Sequence, residues 1–380
     1  MLAEWGRIGV VGFGGPPTHI VLLRRLCVEQ RGWLTAADFE AALSACNLLP
    51  GPASTQLAIF CAYRTAGRRG GLVGGLAFVL PAVLIVLALS VLFLANSPPL
   101  LVAGAGAGAG AAVAPVALAA GIALLGPSWR RTHREPSSRK ARWGAYLLVG
   151  AAGAVAVGQW LVLGLLACGL AELALMAVRP PRALLGLHAP GMLALAALAA
   201  AGAGGVGALV WEAFKVGALS YGGGFVIIPL MRSGAVHTYH WMSSAEFLSA
   251  VVLGQVSPGP VVATVAAVGY AAHGLAGGAL AAAVAFAPSF AFVLAGGGQF
   301  ERLRGSRRAQ AFIGGAGPAS IGAILGASIP LAAALGHAWQ FALLGACAVS
   351  LLGLRRGVVE TMLGAGAIGM VAALAGVPVR

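Results

Sequence analysis

Two Pro-Gly-Pro triplets constrain the fold of this chain more than any other feature. They begin at Pro50 and Pro258, and each lies inside an apolar segment long enough to cross a bilayer. Proline removes a backbone donor and clashes with the preceding turn, so an ordinary helix cannot continue through such a triplet. Inside lipid, the freed backbone groups must bond to protein or face a water-filled cavity. The sequence therefore predicts two interrupted membrane helices.

The composition is that of a polytopic α-helical membrane protein. Of 380 residues, 59% are hydrophobic and 9% are charged, whereas soluble chains carry roughly 25% charged residues. The net charge of +14 is concentrated in short loops between apolar segments, which is typical of membrane topology. We therefore expect a lipid bilayer around the chain and no nucleic acid partner. The five cysteines are scattered without a CxxC motif, so we expect no metal and no cofactor.

Apolar runs of about 20 residues predict membrane helices. The predicted segments are 6–26, 40–63, 71–95, 100–127, 143–158, 160–178, 184–204, 208–231, 246–271, 275–299, 310–334, 337–353 and 357–378. The predicted fold class is an all-α polytopic membrane protein of about 13 transmembrane helices, arranged as two inverted-topology repeats with broken helices.

A shift of 208 residues superimposes the first half of the chain on the second. The matched pairs include Glu4 with Glu212, Arg7 with Lys215, Gly14 with Gly222, Gly15 with Gly223, Trp33 with Trp241, Pro50 with Pro258, Gly51 with Gly259 and Pro52 with Pro260. After one deletion the shift is 207, which pairs Tyr63 with Tyr270 and Pro81 with Pro288. So many matches of rare residues in one register indicate a tandem duplication. The predicted division is a first repeat at 1–183, a linker helix at 184–207 and a second repeat at 208–380.

Basic residues favour one orientation of the chain. With the N-terminus in the cytoplasm, the predicted cytoplasmic loops carry Arg64, Arg68, Arg69, Arg130, Arg131, Arg134, Arg139, Lys140, Arg142, Arg179, Arg182, Arg232, Arg302, Arg304, Arg307, Arg308, Arg355 and Arg356. The predicted outer side carries only Arg24, Arg25, Arg31 and Arg380. Cytoplasmic loops are enriched in Lys and Arg, so we expect the N-terminus inside and the C-terminus outside. An odd number of predicted crossings separates the two copies, which inverts one relative to the other.

Glycine also interrupts the first predicted helix of each half, at 12–17 and at 220–224. Broken helices in matched positions of two halves point to a transporter's binding site, and half-helix N-termini suit an anion. Thr18 is a further donor beside the first glycine break. The candidate substrate-binding residues are Gly14, Gly15, His19, Pro50, Gly51, Pro52, Ser54, Thr55, Gln56, Gly222, Gly223, Gln255, Pro258, Gly259, Pro260 and Thr264. The alternative is that these breaks are packing kinks, since Gly and Pro are frequent in membrane helices.

Two duplicated charge pairs lie near the start of the first helix of each half. Glu4 precedes Arg7 by three residues, as Glu212 precedes Lys215. Ionisable groups in membrane segments suggest function, so the cations are candidates for attracting an anion and the carboxylates for relaying protons. Alternatively, each cation extends to the headgroups and pairs with its own helix's glutamate. No nucleophile elbow or Walker loop occurs, and we expect no enzyme activity.

Specific motifs in both halves resemble the long-chain, two-domain bacterial chromate ion transporters. In the first half these are Phe13-Gly14-Gly15-Pro16, His19-Ile20, Trp33-Leu34, the stretch 49–57, the stretch 64–67 and Leu80-Pro81. In the second half they are the stretch 221–224, the stretch 228–230, Trp241, Phe247, Gln255, the stretch 258–260 and Pro288-Ser289. Phe225 and Asn47 depart from the family pattern.

The resemblance implies proton-driven efflux of chromate across a bacterial inner membrane, with chromate and protons as partners. A tetrahedral oxyanion offers only acceptors, so the donors at the broken helices fit it. A transporter of sulfate or another anion, an anion channel and, third, a membrane enzyme are the alternatives. A homo-oligomer is compatible with the sequence.

Overall fold

The structure, a computed structural model, describes residues 2–46, 51–133, 135–156, 161–176, 205–220, 224–296 and 306–379. Its helices are α1 (Leu2–Val11), α2 (Pro16–Arg24), α3 (Ala36–Cys46), α4 (Ala53–Phe93), α5 (Leu100–Ala111), α6 (Val113–Thr132), α7 (Ser137–Ala156), α8 (Leu161–Met176), α9 (Val206–Leu219), α10 (Ile227–Arg232), α11 (Ser244–Val256), α12 (Thr264–Gly296), α13 (Arg307–Ala332), α14 (Ala338–Ala348) and α15 (Val358–Leu374). Within the described ranges the fold is all-α. The predicted linker helix at 184–204 lies outside them.

Four continuous helical stretches are long and apolar enough to cross a membrane. They are Ala53–Phe93, Leu100–Thr132, Val261–Gly296 and Arg307–Ala332. Shorter apolar helices at Leu161–Met176, Ser244–Val256, Ala338–Gly353 and Val358–Leu374 accompany them. These helices are those of a multi-pass membrane protein.

The segment 6–26 is a helical hairpin, so the prediction of one spanning helix there is wrong. The chain turns at Gly14 and Gly15, whose φ angles of 96° and 74° are ones that glycine adopts without strain. Beyond the turn, Nε of Arg31 donates to the Glu4 carboxylate at 2.9 Å. Trp33 stacks on Trp5 with the ring centroids 5.8 Å apart. Both ends of the hairpin therefore lie on the same side of the molecule.

The predicted segment 40–63 is also part of a hairpin. Helix α3, in which this segment begins, starts three residues after Trp33, and the helix is interrupted between α3 and α4. Within α4 the chain reverses at Ala66 (φ −143°, ψ 30°) and Gly67 (φ 64°, ψ −160°). Beyond this kink, Gly74 lies against Ala62 and Trp5. The start of α3 and the kink thus lie at the same end as Trp5, and Gly51 with Pro52 lies at the tip between them.

The second half repeats these turns. Gly234, in the short π-helical segment after α10, contacts the Glu212 carboxylate of α9, so the predicted segment 208–231 turns back as well. Within α12 the chain kinks at His273 (φ −147°, ψ 32°) and Gly274 (φ 64°, ψ −157°). These angles match those of the α4 kink 207 residues earlier. We interpret α11 and the first turns of α12 as the fourth hairpin, in place of a crossing at 246–271.

The first hairpin predicts a labelling result that a single crossing would reverse. In a variant without native cysteines, we expect Gln30→Cys and Ser138→Cys to react with an impermeant maleimide from the same side of the membrane, because residues 31 and 33 return to residues 4 and 5. Labelling from opposite sides would contradict the hairpin.

The hairpins also move arginines between the two predicted sides. Arg31, with Arg24 and Arg25 in the same arm, joins the side of the N-terminus. Arg232 moves with α10 to the side on which α9 begins. The first change adds three arginines to the side of the N-terminus and the second removes one from it, so the net bias of basic residues towards that side increases, which is the pattern expected of a cytoplasmic face.

The centre of the fold is formed by α4 and α12, which are equivalent helices of the two halves. Gly71 packs against Leu294, Gly75 against Phe290, and Leu87 against Gly278. Residue numbers rise along one helix as they fall along the other, so the two helices run antiparallel. Equivalent helices of the two halves therefore have opposite directions at this contact.

The peripheral helices are exchanged between the halves. Helix α13 of the second half packs on α6, α7 and α8 of the first half, and α15 packs on α5. The contacts are very close, because a Cβ atom on Gly150, Gly322 or Gly315 would overlap a backbone carbonyl of the facing helix. Small residues at such positions let membrane helices approach closely. The exchange joins both halves into one body.

Candidate functional site

The tips of three hairpins meet near the centre of the molecule. The backbone N–H of Gly259, in the second Pro-Gly-Pro, donates to the Gly12 carbonyl in the first glycine break at 3.1 Å. A Cβ atom on Gly15 would lie 3.8 Å from Val261, and one on Gly224 would lie 3.3 Å from it. The breaks at 12–15 and at 224 therefore both contact the segment 259–261.

The remaining tip, that of the second hairpin at Gly51, contacts the other half in an equivalent way. A Cβ atom on Gly51 would lie 3.2 Å from the Ser289 hydroxyl, and one on Gly259 would lie 2.6 Å from Ala82. Gly51 and Gly259 are equivalent under the duplication, as are Ala82 and Ser289. Gly51 and Gly259 thus each pack on the helix that follows the other triplet, but only the contact of Gly51 includes a hydroxyl group.

Two buried hydroxyls near the Gly51 tip have no hydrogen-bond partner within the described residues. They are Ser289 Oγ and Thr55 Oγ1, and both side chains are 0% exposed. A buried donor without a partner costs about 1–3 kcal/mol, so most buried polar groups are paired. Elsewhere among the hairpin residues, Ser220 Oγ and Gln255 Nε2 are also buried without a hydrogen-bond partner within the described residues. Such hydroxyls and amides are suited to a ligand that offers acceptors.

The N-terminus of α4 adds backbone donors at this tip. The helix begins after Pro52, with no side-chain cap, and its first intrahelical bond joins the Gln56 N–H to the Pro52 carbonyl at 3.0 Å. The N–H groups of Ala53, Ser54 and Thr55 precede that bond and have no intrahelical acceptor. Together with the helix dipole they favour an anion at the tip.

A cavity of about 880 Å³ leads to this helix start. The hairpin contributes Ser44, Cys46, Gly51 and Ala53, the α6–α7 region contributes Ser128, Arg131, Thr132 and Arg139, and α13 contributes Gln310 and Ser320. The volume exceeds that of a single tetrahedral oxyanion many times, so the cavity is a vestibule rather than a fitted pocket. Its polar wall carries two guanidinium groups.

The two arginines of the vestibule differ in their partners. Arg131 is exposed. Arg139 pairs with Glu135 at 3.0 Å and lies 3.6 Å from Glu172. Glu172 already accepts hydrogen bonds from Nε and Nη2 of Arg142, at 2.9 and 3.0 Å. The positive potential of the vestibule therefore comes mainly from Arg131.

Several predicted site residues hold the hairpins together instead of facing the vestibule. His19 Nε2 donates to the Gly12 carbonyl at 2.8 Å, and the ring packs edge-on to Phe78. Gly12 therefore accepts both this bond and the one from Gly259. Thr264 donates to the Val261 carbonyl at 2.7 Å. These bonds satisfy backbone groups that the breaks release.

The structure describes most of the other predicted site residues, and the rest lie outside the described ranges. Gly51 lines the vestibule, and Ser54, Thr55 and Gln56 are buried in the first turn of α4. Gly14 and Gly15 form the tip of the first hairpin, and Gly259 with Pro258 and Pro260 that of the fourth. Pro50, Gly222 and Gly223, with the departure at Asn47, lie outside the described residues. Of the duplicated charges, Glu212 and Lys215 are buried, whereas Arg7 is exposed.

The sequence did not single out four residues that the structure brings to the site. Arg131 and Arg139 had been assigned only to topology, and Ser220 and Ser289 only to motifs. The signal for Ser289 was its position next to the duplicated Pro288. Its relation to Gly51 depends on packing between distant parts of the chain, which no spacing rule gives.

Comparison with known proteins identifies the family. The family model described as "Chromate transporter" matches residues 1–174 and 207–370. The chain belongs to the chromate transporter family. It is 34% identical over 379 residues to the chromate transport protein of Cupriavidus metallidurans, covering 96% of this chain and 91% of that one.

Two further members of the chromate transporter family show the same extended similarity. The chromate transport protein of Pseudomonas aeruginosa is 30% identical, with 87% of this chain and 80% of that one covered. The probable chromate transport protein of Synechococcus elongatus is 29% identical, covering 86% and 82%. No solved structure matches the chain.

Proposed function

We propose that this protein exports chromate from the cytoplasm by alternating access, driven by the proton-motive force across a bacterial inner membrane. The observation that carries the proposal is the start of α4. There, backbone donors without an intrahelical acceptor and the Thr55 hydroxyl, which has no partner among the described residues, lie at the end of a vestibule lined by Arg131 and Arg139. Chromate is a tetrahedral dianion with acceptors only, and this arrangement offers donors and positive potential.

In the proposed orientation the vestibule opens to the cytoplasm. It lies on the side of the arginine-rich 127–142 loop, and an excess of Lys and Arg marks the cytoplasmic face. The antiparallel packing of α4 and α12 supports an inverted-topology repeat, the plan on which many secondary transporters are built. A second conformation would then close this vestibule and open its counterpart on the other side.

The alternatives are transport of sulfate or another anion, and an anion channel. Chromate and sulfate share charge and shape, so hydrogen bonding alone separates them poorly. A channel would pass current that follows the voltage and would need no proton gradient.

The test is uptake of radiolabelled chromate into everted membrane vesicles, with and without a proton gradient and with excess sulfate. We expect uptake that requires the gradient and exceeds that of vesicles lacking the protein. Gradient-independent flux that follows voltage would favour the channel, and no flux of chromate would contradict the proposed substrate.

The vestibule gives a prediction about substrate capture. We expect Arg131→Gln to raise the KM for chromate severalfold with little change in maximal rate, because a cationic entrance concentrates an anionic substrate without contacting it in transit. Initial rates at low and high salt provide the measurement, and salt should reduce the difference. Arg130→Gln is the control, since Arg130 is an exposed neighbour that does not line the cavity. Equal KM values for the two variants would contradict this role.

A further inference from the structure

The duplicated charge pair of the second half is buried. Lys215 Nζ donates to Glu212 Oε1 at 2.6 Å, and the two side chains are 9% and 4% exposed. The other carboxylate oxygen, Oε2, is buried and has no hydrogen-bond partner among the described residues. A buried ion pair is a weak contributor to stability, because desolvation offsets the attraction between the charges. Its burial therefore calls for another explanation.

The equivalent pair of the first half, Glu4 and Arg7, is arranged differently. Glu4 bonds to Arg31, whose side chain is 55% exposed. Arg7 is itself exposed. The duplication thus placed the same two charge types in two environments, and only the second-half carboxylate is both withdrawn from solvent and bonded to its helix neighbour.

Few other titratable groups surround the buried pair. The segment 232–239, in which Gly234 contacts Glu212, carries Arg232, His237 and Tyr239. Burial raises the pKa of Tyr239, and the nearby carboxylate of Glu212 raises it further. Helix α12, which packs on the other face of α9, has Tyr270 and His273 as its titratable groups and no Asp, Glu, Lys or Arg. Within these described segments, Glu212 is therefore the one carboxyl group.

We propose that Glu212 is the residue that carries the coupling proton, and that Lys215 is the cation released when Glu212 is protonated. The inference rests on the proposed function, since it names the coupling group of that transport. The proton binds to a Glu212 oxygen, the carboxylate becomes neutral, and the pair changes from no net charge to one positive charge. This change of charge lies on α9, five residues before Ser220 in the second glycine break, so the protonated and deprotonated forms of the protein differ in charge beside the hairpin tips.

The matched pair of variants Glu212→Gln and Glu4→Gln tests the proposal. Purified protein in liposomes is assayed for chromate accumulation driven by a pH gradient and for exchange of labelled against unlabelled chromate without a gradient. We expect gradient-driven accumulation by Glu212→Gln to fall at least about tenfold below that of the wild type. Exchange should be retained and should no longer depend on pH. Glu4→Gln should keep both activities. A structural role for Glu212 would lower both activities together.

A second measurement does not depend on chromate. Infrared difference spectra after a step in pH detect the carbonyl band of a protonated carboxyl group, and we expect a band in the wild type and in Glu4→Gln that disappears in Glu212→Gln. The proposal would be overturned if Glu212→Gln kept gradient-driven accumulation, or if the band assigned to Glu212 persisted in that variant. Loss of exchange in folded Glu212→Gln would also overturn it. Absence of all chromate flux in the wild type would instead contradict the proposed function, and the infrared result would then decide the proton site alone.

Discussion

Replacing Ser289 by alanine, or Thr55 by valine, is expected to lower chromate transport by about tenfold or more. Both hydroxyls are fully buried without a partner within the described residues, and Ser289 Oγ lies beside Gly51 at the vestibule. A hydrogen bond to a charged ligand contributes about 1.5–3 kcal/mol, which corresponds to roughly a tenfold to hundredfold change in binding. Because neither hydroxyl bonds to a described protein group, its removal should leave the folded state intact.

The measurement is chromate binding and initial transport rate in purified protein, with thermal stability recorded for each variant. Ser90→Ala is the matched control, since this serine is also buried but donates to the carbonyl of Val86 within its own helix. We expect the control to transport normally. Transport at the wild-type rate in both Ser289→Ala and Thr55→Val would remove these hydroxyls from the site.

The second large effect concerns the exchanged helices. We expect Gly150→Ala to destabilise the protein by about 3 kcal/mol or more, because the new methyl group would overlap the Ala319 carbonyl on α13. Backbone on both sides of the contact cannot rotate away as a side chain can, so α7 and α13 must separate. Overpacking of this kind typically costs 1–3 kcal/mol even where side chains can adjust.

Gly144→Ala is the control on the same helix, since nothing lies within 4 Å of a Cβ atom at Gly144 among the described residues. Thermal unfolding in detergent, followed by size-exclusion chromatography, compares the two variants. The Gly144 variant should match or exceed the wild type, because alanine favours a helix over glycine. Equal melting temperatures for both variants would show that the α7–α13 contact is looser than described.

The sequence predicted the positions of the breaks because Gly and Pro act locally. Two prolines around a glycine interrupt a helix, and α3 and α11 end at Cys46 and Val256, before the two triplets. Single prolines such as Pro81 and Pro288 lie inside continuous helices. The sequence did not predict that the chain reverses at 12–15, because an apolar run of hydrophobic residues has the same composition whether it crosses or returns. Only the contacts of Glu4 with Arg31 and of Trp5 with Trp33 reveal the reversal.

The candidate site was predictable to the same extent. Thr55 was identified from its place after a break, which is a local argument. Ser289 and Arg131 reach the site through helix packing between the halves, and the different burial of Arg7 and Lys215 depends on which neighbours each helix meets. A duplicated sequence gives equal expectations for both copies, so differences between the copies are the part that only the structure supplies.

The exchange of peripheral helices has a consequence for how this chain would move. Because α13 is bound to α6, α7 and α8 while α15 is bound to α5, the rigid bodies of any large rearrangement are built from pieces of both copies. A hinge at the boundary between the copies would have to tear these contacts apart. We therefore expect any large rearrangement to leave these contacts between the copies in place.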